Sequence, residues 1–588
     1  MAEKDWDDAS MTTSDTLTAA QWVSHVEHQK SHNGYSYLVF LDGSTIKAKN
    51  GETGDIDYSS TDASTVIQAV VDQLDAGDGG SIHFASGTYL ITTDIIIDTN
   101  ITLDGDGWTT ILKISGADAI FKTPTDSGGN IIIRDMKFDA NDTATYCLLI
   151  GQGSSPPYVT RVLVENCYFY TPSTSQYGII QFAGSNITFS NNFVENCYII
   201  NFFDGDYWVF CGNHVKNTYD SCVSLGSGYE HEWQHAVVAN NLLQIDSSTN
   251  SGFCVDVFGG INDVIVANNV CWGGKYDCIS VGSSGGGPAY PGPRVSVVDN
   301  ICYNAGRHGI RIDSSTESYF IVDGNHVYDP AQYGITVAAN NVIISNNEVV
   351  NSNNRGIHVY GDGSTSYSNI SISGNQISYG NIYISNLKDS VISNNHICDT
   401  QYSGMDIRGI KNSVISGNVI KNSGQTGDSN YDDGISIHDG SYSVTASINN
   451  IITNNRIFDD QATKTQEVGI KTFENSDYNL IKNNNVDGNN GAGIEVAGSN
   501  TFVGFNIGYI TENSGTGSIT SGGTTDVITH GLSVTPTAED ISITLKENPT
   551  NTPGAIWVDT ITSTQFTVNC ENDPGASNLD FGWRAIVL

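Results

Sequence analysis

The chain has 588 residues, including 62 Gly, 12 Pro and only 15% charged side chains. Asp and Glu outnumber Lys and Arg 64 to 25, and a formal net charge of −39 repels phosphate backbones and anionic lipid, which excludes nucleic acid and membrane surfaces as expected partners. No apolar run reaches the roughly 18 residues of a spanning helix, while 28 Tyr and 20 Phe supply a core and exclude wholesale disorder.

Residues 1–55 stand outside any repeat and read as an attachment region. The opening MAEKDWDDAS has neither a basic region nor an apolar stretch, so no secretory signal peptide is expected. LTAAQWVSHVEHQKSH has the spacing of a short amphipathic helix, and YSYLVFLDGSTIKAKNG that of a hairpin turning at Asp42-Gly43. Residues 61–75, TDASTVIQAVVDQLD, place apolar residues at helical spacing behind an Asp and Ser start, as an end-capping helix requires.

From there a repeat takes over. Asn recurs in phrases such as SNNFV, ANNLL, SGNQI and SNNHI at Asn192, Asn213, Asn241, Asn269, Asn300, Asn325, Asn347, Asn375, Asn395, Asn418, Asn455 and Asn484, at intervals of 20 to 37 residues. A second phrase, Gly-Ile-x-Ile, alternates with it in HGIRID, YGITVA, RGIHVY and DGISIH. Short alternating strands parted by Asn and Gly turns predict an all-β fold, a right-handed single-stranded parallel β-helix over residues 56–512. Ile and Val face inward, and the corner Asn takes the left-handed turn and forms a hydrogen-bonded ladder. Cys147, Cys222, Cys254 and Cys278 fall at the position of Gly309, and Cys167 and Cys197 share the phrase VENC. Such columns read as small buried thiols rather than disulfides, metal ligands or nucleophiles. Past the repeat, the Ser/Thr/Gly stretch 513–525 reads as a linker, and residues 526–588 alternate as the strands of a small β-sandwich domain.

The order of Asp-Ala near a helix, Gly-Gly, strand, Gly-Thr-Tyr, strand and LDGDG resembles the entry of the pectate-lyase-like right-handed β-helix superfamily, which includes extracellular polysaccharide lyases, polygalacturonases and viral tailspikes. The resemblance covers roughly residues 55–510. It implies the fold, a polysaccharide partner and an extracellular or virion-tail location, and for a tailspike a homotrimer. It does not fix the chemistry, because one fold hosts many sites. YDDGISIHDG (Tyr431 to Gly440) is similar to the Asp-Asp motif of polygalacturonases, yet their companion motifs are absent.

Outward residues of one strand column form a strip along such a fold. Taking Arg311 as reference, the column runs through Ile180, Asn201, Ser224, Asp256, Ser280, Thr336, His358, Tyr383, Asp406, Ser436, Lys471 and Glu495. Asp277, His308, Tyr333 and Arg355 precede it, at a corner where alternation leaves their direction open. Asp313, Tyr360, Arg408 and His438 follow it. Loops after the strand carry Tyr158, Tyr229, Trp233 and Tyr290, whose rings suit sugar stacking. With Tyr333, Arg355 and His358 they are the expected substrate-binding residues. The expected catalytic set is Asp220, Asp256, Asp277, His308, Arg311 and Asp313. Asp256 and Asp277, one coil apart, suit a carboxyl pair for glycoside hydrolysis, and Asp220 with Asp277 a wider pair. Arg311 with His308 suits β-elimination. Each acid taken singly also reads as a solvated turn residue.

The function expected is cleavage of an acidic or cell-surface polysaccharide. The alternatives are a glycan-binding adhesin or structural fibre that cuts nothing and, more weakly, a uronate epimerase. No cofactor is called for, although the acidic loops offer the oxygen donors that Ca²⁺ takes.

Overall fold

The structure, a computed structural model, describes residues 34–124, 128–151, 159–172, 177–203, 205–226, 233–245, 252–258, 261–282, 294–314, 319–361, 366–427, 431–439, 446–546 and 549–587. The amphipathic helix expected within residues 1–33 lies outside them. Two units divide the chain, residues 1–306 and 307–588.

In the first unit, Tyr37–Asp42 and Thr45–Asn50 form the expected hairpin, with Asp42 opposite Thr45. Tyr37–Asp42 also pairs in parallel with Gly80–Phe84, so the hairpin continues a sheet of the repeat instead of standing apart. Helix α1 (Ala63–Asp75) starts where Asp62 accepts a 3.3 Å bond from the Thr65 N–H, satisfying one orphan amide of the first turn. Its apolar face, Val66, Ile67, Val70, Val71 and Leu74, is buried. Gln68 ties it to the first coil, accepting from the Ile96 N–H (2.8 Å) and donating to the Ile96 carbonyl (3.1 Å).

Each coil then lays down three short strands, one in each of three parallel sheets. Trp208–Cys211 in the first sheet is followed by His214–Lys216 in the second, Val223–Gly226 in the third, and Trp233–Ala239 back in the first. Side chains alternate in and out along a strand, and in-register stacking turns each inward position into a column. The first unit fills its columns with rings: Phe138 stacks on Phe169 at 4.7 Å and Phe189 on Phe210 at 5.6 Å. In the second unit one column is Ile344, Ile372, Ile392, Ile415, Ile452 and Ile481, all fully buried.

The asparagine ladder is present in both units, with its two jobs divided between neighbours. Asn213, Asn241 and Asn269 each donate through Nδ2 to Oδ1 of the next, at 2.8 to 3.0 Å. Asn325 to Asn506 continue the pattern in the second unit. The left-handed backbone belongs to the residue before, such as Asn191, Asn240, Asn346, Asn394 and Asn483, with φ between 54° and 58°. Conformational strain and buried hydrogen bonding therefore fall on adjacent side chains, and the expectation that one Asn does both is corrected.

All eleven cysteines are free thiols. Cys222, Cys254 and Cys278 stack as expected, each preceding the register partners Val223, Val255 and Ile279. Cys167 and Cys197 do not stack. The Cys167 N–H donates to Asn192 Oδ1 at 2.8 Å, so Cys167 heads the ladder at one corner, while Cys197 follows Phe193–Glu195 at the next corner. In the second unit glycine holds the Cys column: a Cβ on Gly334 would lie 2.3 Å from Val349 Cγ1 and 2.5 Å from the Gly356 carbonyl.

Residues 512–587 form two three-stranded antiparallel sheets, Glu512–Ile519, Leu579–Ile586 and Ile541–Leu545 in one, and Thr525–Thr529, Gln565–Cys570 and Ile556–Asp559 in the other. Ile519, Phe566, Val568, Leu579 and Phe581 fill the core between them. The stretch 513–525, expected as a linker, supplies most of the Glu512–Ile519 strand, because its Thr, Ser and Ile alternate against Leu579–Ile586.

Candidate functional site

In the first unit Asp256 stands on the outer face of the third sheet, in register with Ser224 and Ser280. Gln181, not Ile180, precedes Asn201 in that column; Ile180 pairs with Ile200 and is buried. Asp277 is 0% exposed and stands at the corner three residues ahead of the Ser280 that pairs with Asp256. Asp256 and Asp277 therefore stand on neighbouring coils of the third sheet, with Asp277 buried. Asp220 lies a further coil away, half-buried, its pKa raised by burial and its Oδ1 accepting from the Ser221 hydroxyl at 3.5 Å. Tyr158, Tyr229 and Tyr290 lie outside the described residues, as does the side chain of Trp233, which opens the strand Trp233–Ala239.

The second unit gathers the other expected residues. His308, Tyr333 and Arg355 are register partners at the start of successive strands of the third sheet. The corner turns them to the same side: His308 stacks on Tyr333 (centroids 4.8 Å, planes within 3°), and the Arg355 guanidinium lies 5.6 Å above the Tyr333 ring. A hollow of about 450 Å³ opens over them, lined also by Arg311, Asp313, His358 and Tyr360. Arg311 is held to Asp313 by a 2.5 Å ion pair, so this arginine is neutralised in place. His358 accepts or donates at Nδ1 with Thr336 Oγ1 (3.2 Å) among the rings of Tyr333, Tyr360 and Tyr383. Burial first, then Arg355 and His308, depress its pKa to about 3 and keep the ring neutral.

A second hollow of about 360 Å³ follows along the same sheet, lined by Arg355, Asn381, Tyr383, Tyr402, Asp406, Arg408 and Tyr431. The Arg355 guanidinium carbon lies over the Tyr383 ring, 3.3 Å from its centroid, and Arg408 approaches the same ring at 5.3 Å. Arg408 grips Asp406 with two hydrogen bonds, 3.0 and 2.9 Å, and His438 Nε2 stands 3.5 Å from the same carboxylate. Burial opposes the charge on Arg408, but the Asp406 carboxylate raises its pKa above the ordinary value.

Asp433 was not among the expected residues. It occupies the position of His308, Tyr333 and Arg355 three coils after Arg355, by way of the register Ile357, Ile382, Met405 and Ile435. It is 1% exposed, accepts from the Ser436 hydroxyl at 2.8 Å, and burial lifts its pKa to about 6. Ser436 is the register partner of Asp406, which sets the two carboxyl groups on neighbouring coils. Counting the corner position onward from Arg355, coil by coil, leads to it in the sequence. Among the described residues no group of three or more His, Cys, Asp or Glu is arranged to hold a metal ion.

Three stacked parallel sheets around an apolar core, with an asparagine corner ladder, make this chain a right-handed parallel β-helix protein of the pectate-lyase-like superfamily. Within it, residues 49–254 match the family model for rhamnogalacturonase A/epimerase, pectate lyase-like, and residues 246–367 that for the right-handed β-helix region. No curated protein sequence matches the chain. Among solved structures it is similar to the tailspike of E. coli bacteriophage HK620 (12% identity, 89% of this chain and 90% of that one, TM-score 0.40). It is similar also to the A-module of mannuronan C-5 epimerase AlgE6 of Azotobacter vinelandii (15%, 76% and 95%, TM-score 0.27). A third is the catalytic unit of a GH87 α-1,3-glucanase from Streptomyces thermodiastaticus (15%, 60% and 62%, TM-score 0.37). At these identities the likeness concerns the fold alone.

Proposed function

We propose that the outer face of the third sheet in residues 307–588 binds a polysaccharide and hydrolyses its glycosidic bonds. The observation that carries this reading is the pair Asp433 and Asp406, set around Ser436, with Asp406 lining a hollow walled by tyrosines and Asp433 buried behind it. Glycoside hydrolysis needs one carboxyl group that keeps its proton and one that stays ionised. Burial raises Asp433 to about 6 and suits it to protonate the leaving oxygen, while Asp406, oriented by two hydrogen bonds from Arg408, is the group to attack carbon or activate water. Tyr360, Tyr402 and Tyr431 offer ring faces to sugars, and Arg355 favours an acidic polymer. The match of residues 49–254 to a family named for a rhamnogalacturonase and an epimerase agrees with a saccharide partner. Such a polymer places the protein outside cells or on a virion tail. No helix among the described residues is long and apolar enough to cross a membrane.

The test is product analysis on acidic and neutral polysaccharides, following reducing ends together with the ultraviolet absorbance of a new ring double bond. Reducing ends alone, lost in Asp433→Asn and Asp406→Asn, support hydrolysis by this pair. Both signals together overturn hydrolysis in favour of β-elimination, and neither signal with glycan still retained makes the protein a binder.

A further inference from the structure

We infer that the outer face of the first sheet in residues 307–588 pairs two copies of this chain, side by side and pointing the same way. The inference stands apart from whatever the third-sheet groove binds.

Two columns of side chains point outward on that face. One is aliphatic, with Ile343, Val391, Val414 and Ile451 broken once by Ser371. The other carries hydroxyls, Ser345, Ser373, Ser393, Ser416 and Thr453, with Asp323 and Lys482 closing its two ends. From Ile343 to Thr453 neither column holds a charged or aromatic side chain. In a chain of net charge −39 this is a local exception, and the fold does not impose it. On the same sheet of the first unit, Asp104, Arg134 and Glu165 are register partners in consecutive coils. Ile343, Val391 and Ile451 are 45%, 41% and 39% exposed. One such residue is ordinary on a surface, whereas a row of them on one face marks a docking surface.

Charge and shape together say what covers it. Acidic copies repel one another except where acids are missing, and a basic partner would be drawn to the acids elsewhere. The face offers no ring to a sugar. The two columns also fit each other: the branched Ile and Val make a ridge, and the short Ser and Thr beside it leave a groove. A half turn about the direction in which the strands stack exchanges left and right but not top and bottom. It lays the ridge of each copy in the groove of the other, coil for coil, with Val391 of one copy against Ser393 of the other. Copies pointing in opposite directions would set ridge on ridge. A self-complementary patch of this kind is what a two-fold pair requires. At about 4.8 Å per strand the face from Ile321 to Leu480 is roughly 30 Å long, and at about 3.3 Å per residue it is roughly 17 Å wide between its corners. That gives about 500 Å² per copy and about 1,000 Å² for the pair, the lower end of specific interfaces, so the pairing is reversible.

The experiment is sedimentation equilibrium of the full chain over a range of protein and salt concentrations. A reversible dimer is expected, and it tightens as salt rises, because salt screens the repulsion between two acidic copies. Val391→Asp and Ser393→Lys each bury a charge between the copies and are expected to raise the dissociation constant about a hundredfold. An equal mixture of the two variants associates more tightly than either alone, since the acid of one copy then meets the base of the other. Both positions point outward, so the melting curves of the variants match that of the native chain. The mass and the salt series use the native chain and do not depend on any variant folding. A monomer at every concentration, a trimer, association weakened by salt, association unchanged in either variant, or a mixture no tighter than its parts overturns the pairing.

Discussion

The Ser436 hydroxyl donates a 2.8 Å hydrogen bond to Oδ2 of Asp433, and Ser436 is itself the register neighbour of Asp406. One serine thus spans two carboxyl groups in different surroundings, Asp433 buried and protonatable near neutrality, Asp406 gripped by Arg408. Asp433→Asn is expected to lower kcat by about 10²- to 10⁴-fold, the usual range for removing a general acid. The same change is expected to stabilise the fold at pH 7. Because the folded pKa of about 6 lies above the ordinary carboxyl value of 3.8, the native state holds a proton that the unfolded chain releases between those values. Stability therefore falls as pH rises from about 4 to about 6 and stays low above it, by roughly 2 to 3 kcal/mol. Thermal melts at pH 4 and pH 7 check this: the variant gains at pH 7 and not at pH 4. Equal shifts at both pH values contradict the assignment.

The pH dependence of cleavage follows from the same carboxyl. An acid that must deliver a proton loses activity as it ionises, so kcat/KM is expected to fall on the alkaline side with a midpoint near pH 6. His358, held near 3 by burial and by Arg355, contributes no limb between pH 5 and 8. A rate profile of the native chain decides it, and an activity rising through pH 6 to 8 removes Asp433 from the role of acid.

How much of this was legible beforehand depends on what the repeat encodes. Inward Ile and Val, the Asn phrase and the strand column through Arg311 and His358 are set by spacing, and the registers of Arg311, Thr336, His358, Tyr383 and Asp406 follow it coil by coil. Phrases shared by two corners mislead: VENC occurs at Cys167 and Cys197, but one meets the ladder and the other does not. Depth is not written in the repeat either. Asp277 and Asp433 both precede a third-sheet strand by two residues, and only the structure gives their 0% and 1% exposure and the Ser436 hydrogen bond that, with burial, makes Asp433 a candidate acid.

Asn394 and Asn395 give a direct test of the divided corner. Asn394 is exposed with φ 56°, so Asn394→Gly keeps the left-handed turn and is expected to change stability by only a few tenths of a kcal/mol. Asn395 accepts from Asn375 Nδ2 (2.9 Å) and from its N–H (3.1 Å), and donates to the Ile372 carbonyl (2.9 Å) and Asn418 Oδ1 (3.0 Å). Asn395→Ala removes these four buried bonds, leaves the Asn375 N–H without its acceptor, and is expected to cost about 2 to 4 kcal/mol. Denaturant midpoints of the two variants measure the contrast, and similar losses would refute the division of labour.

The thiols answer a separate question, whether the cysteine columns are packing or chemistry. Nine of the eleven are buried, and only Cys211 and Cys398 are partly exposed, each with its pKa raised chiefly by burial. A thiol reacts as thiolate and only where reagent reaches it. Titration of the native chain with an aromatic disulfide reagent is therefore expected to modify at most Cys211 and Cys398, slowly, and to reach all eleven once the chain is unfolded. Melting should be the same with and without reductant, since no covalent bridge is there to break. A shortfall of thiols in the unfolded chain, or a melting point lowered by reductant, would mean that some of these columns carry disulfides. Fast modification of Cys254 or Cys278 in the folded chain would show that the third-sheet interior opens to solvent, against the full burial seen for both.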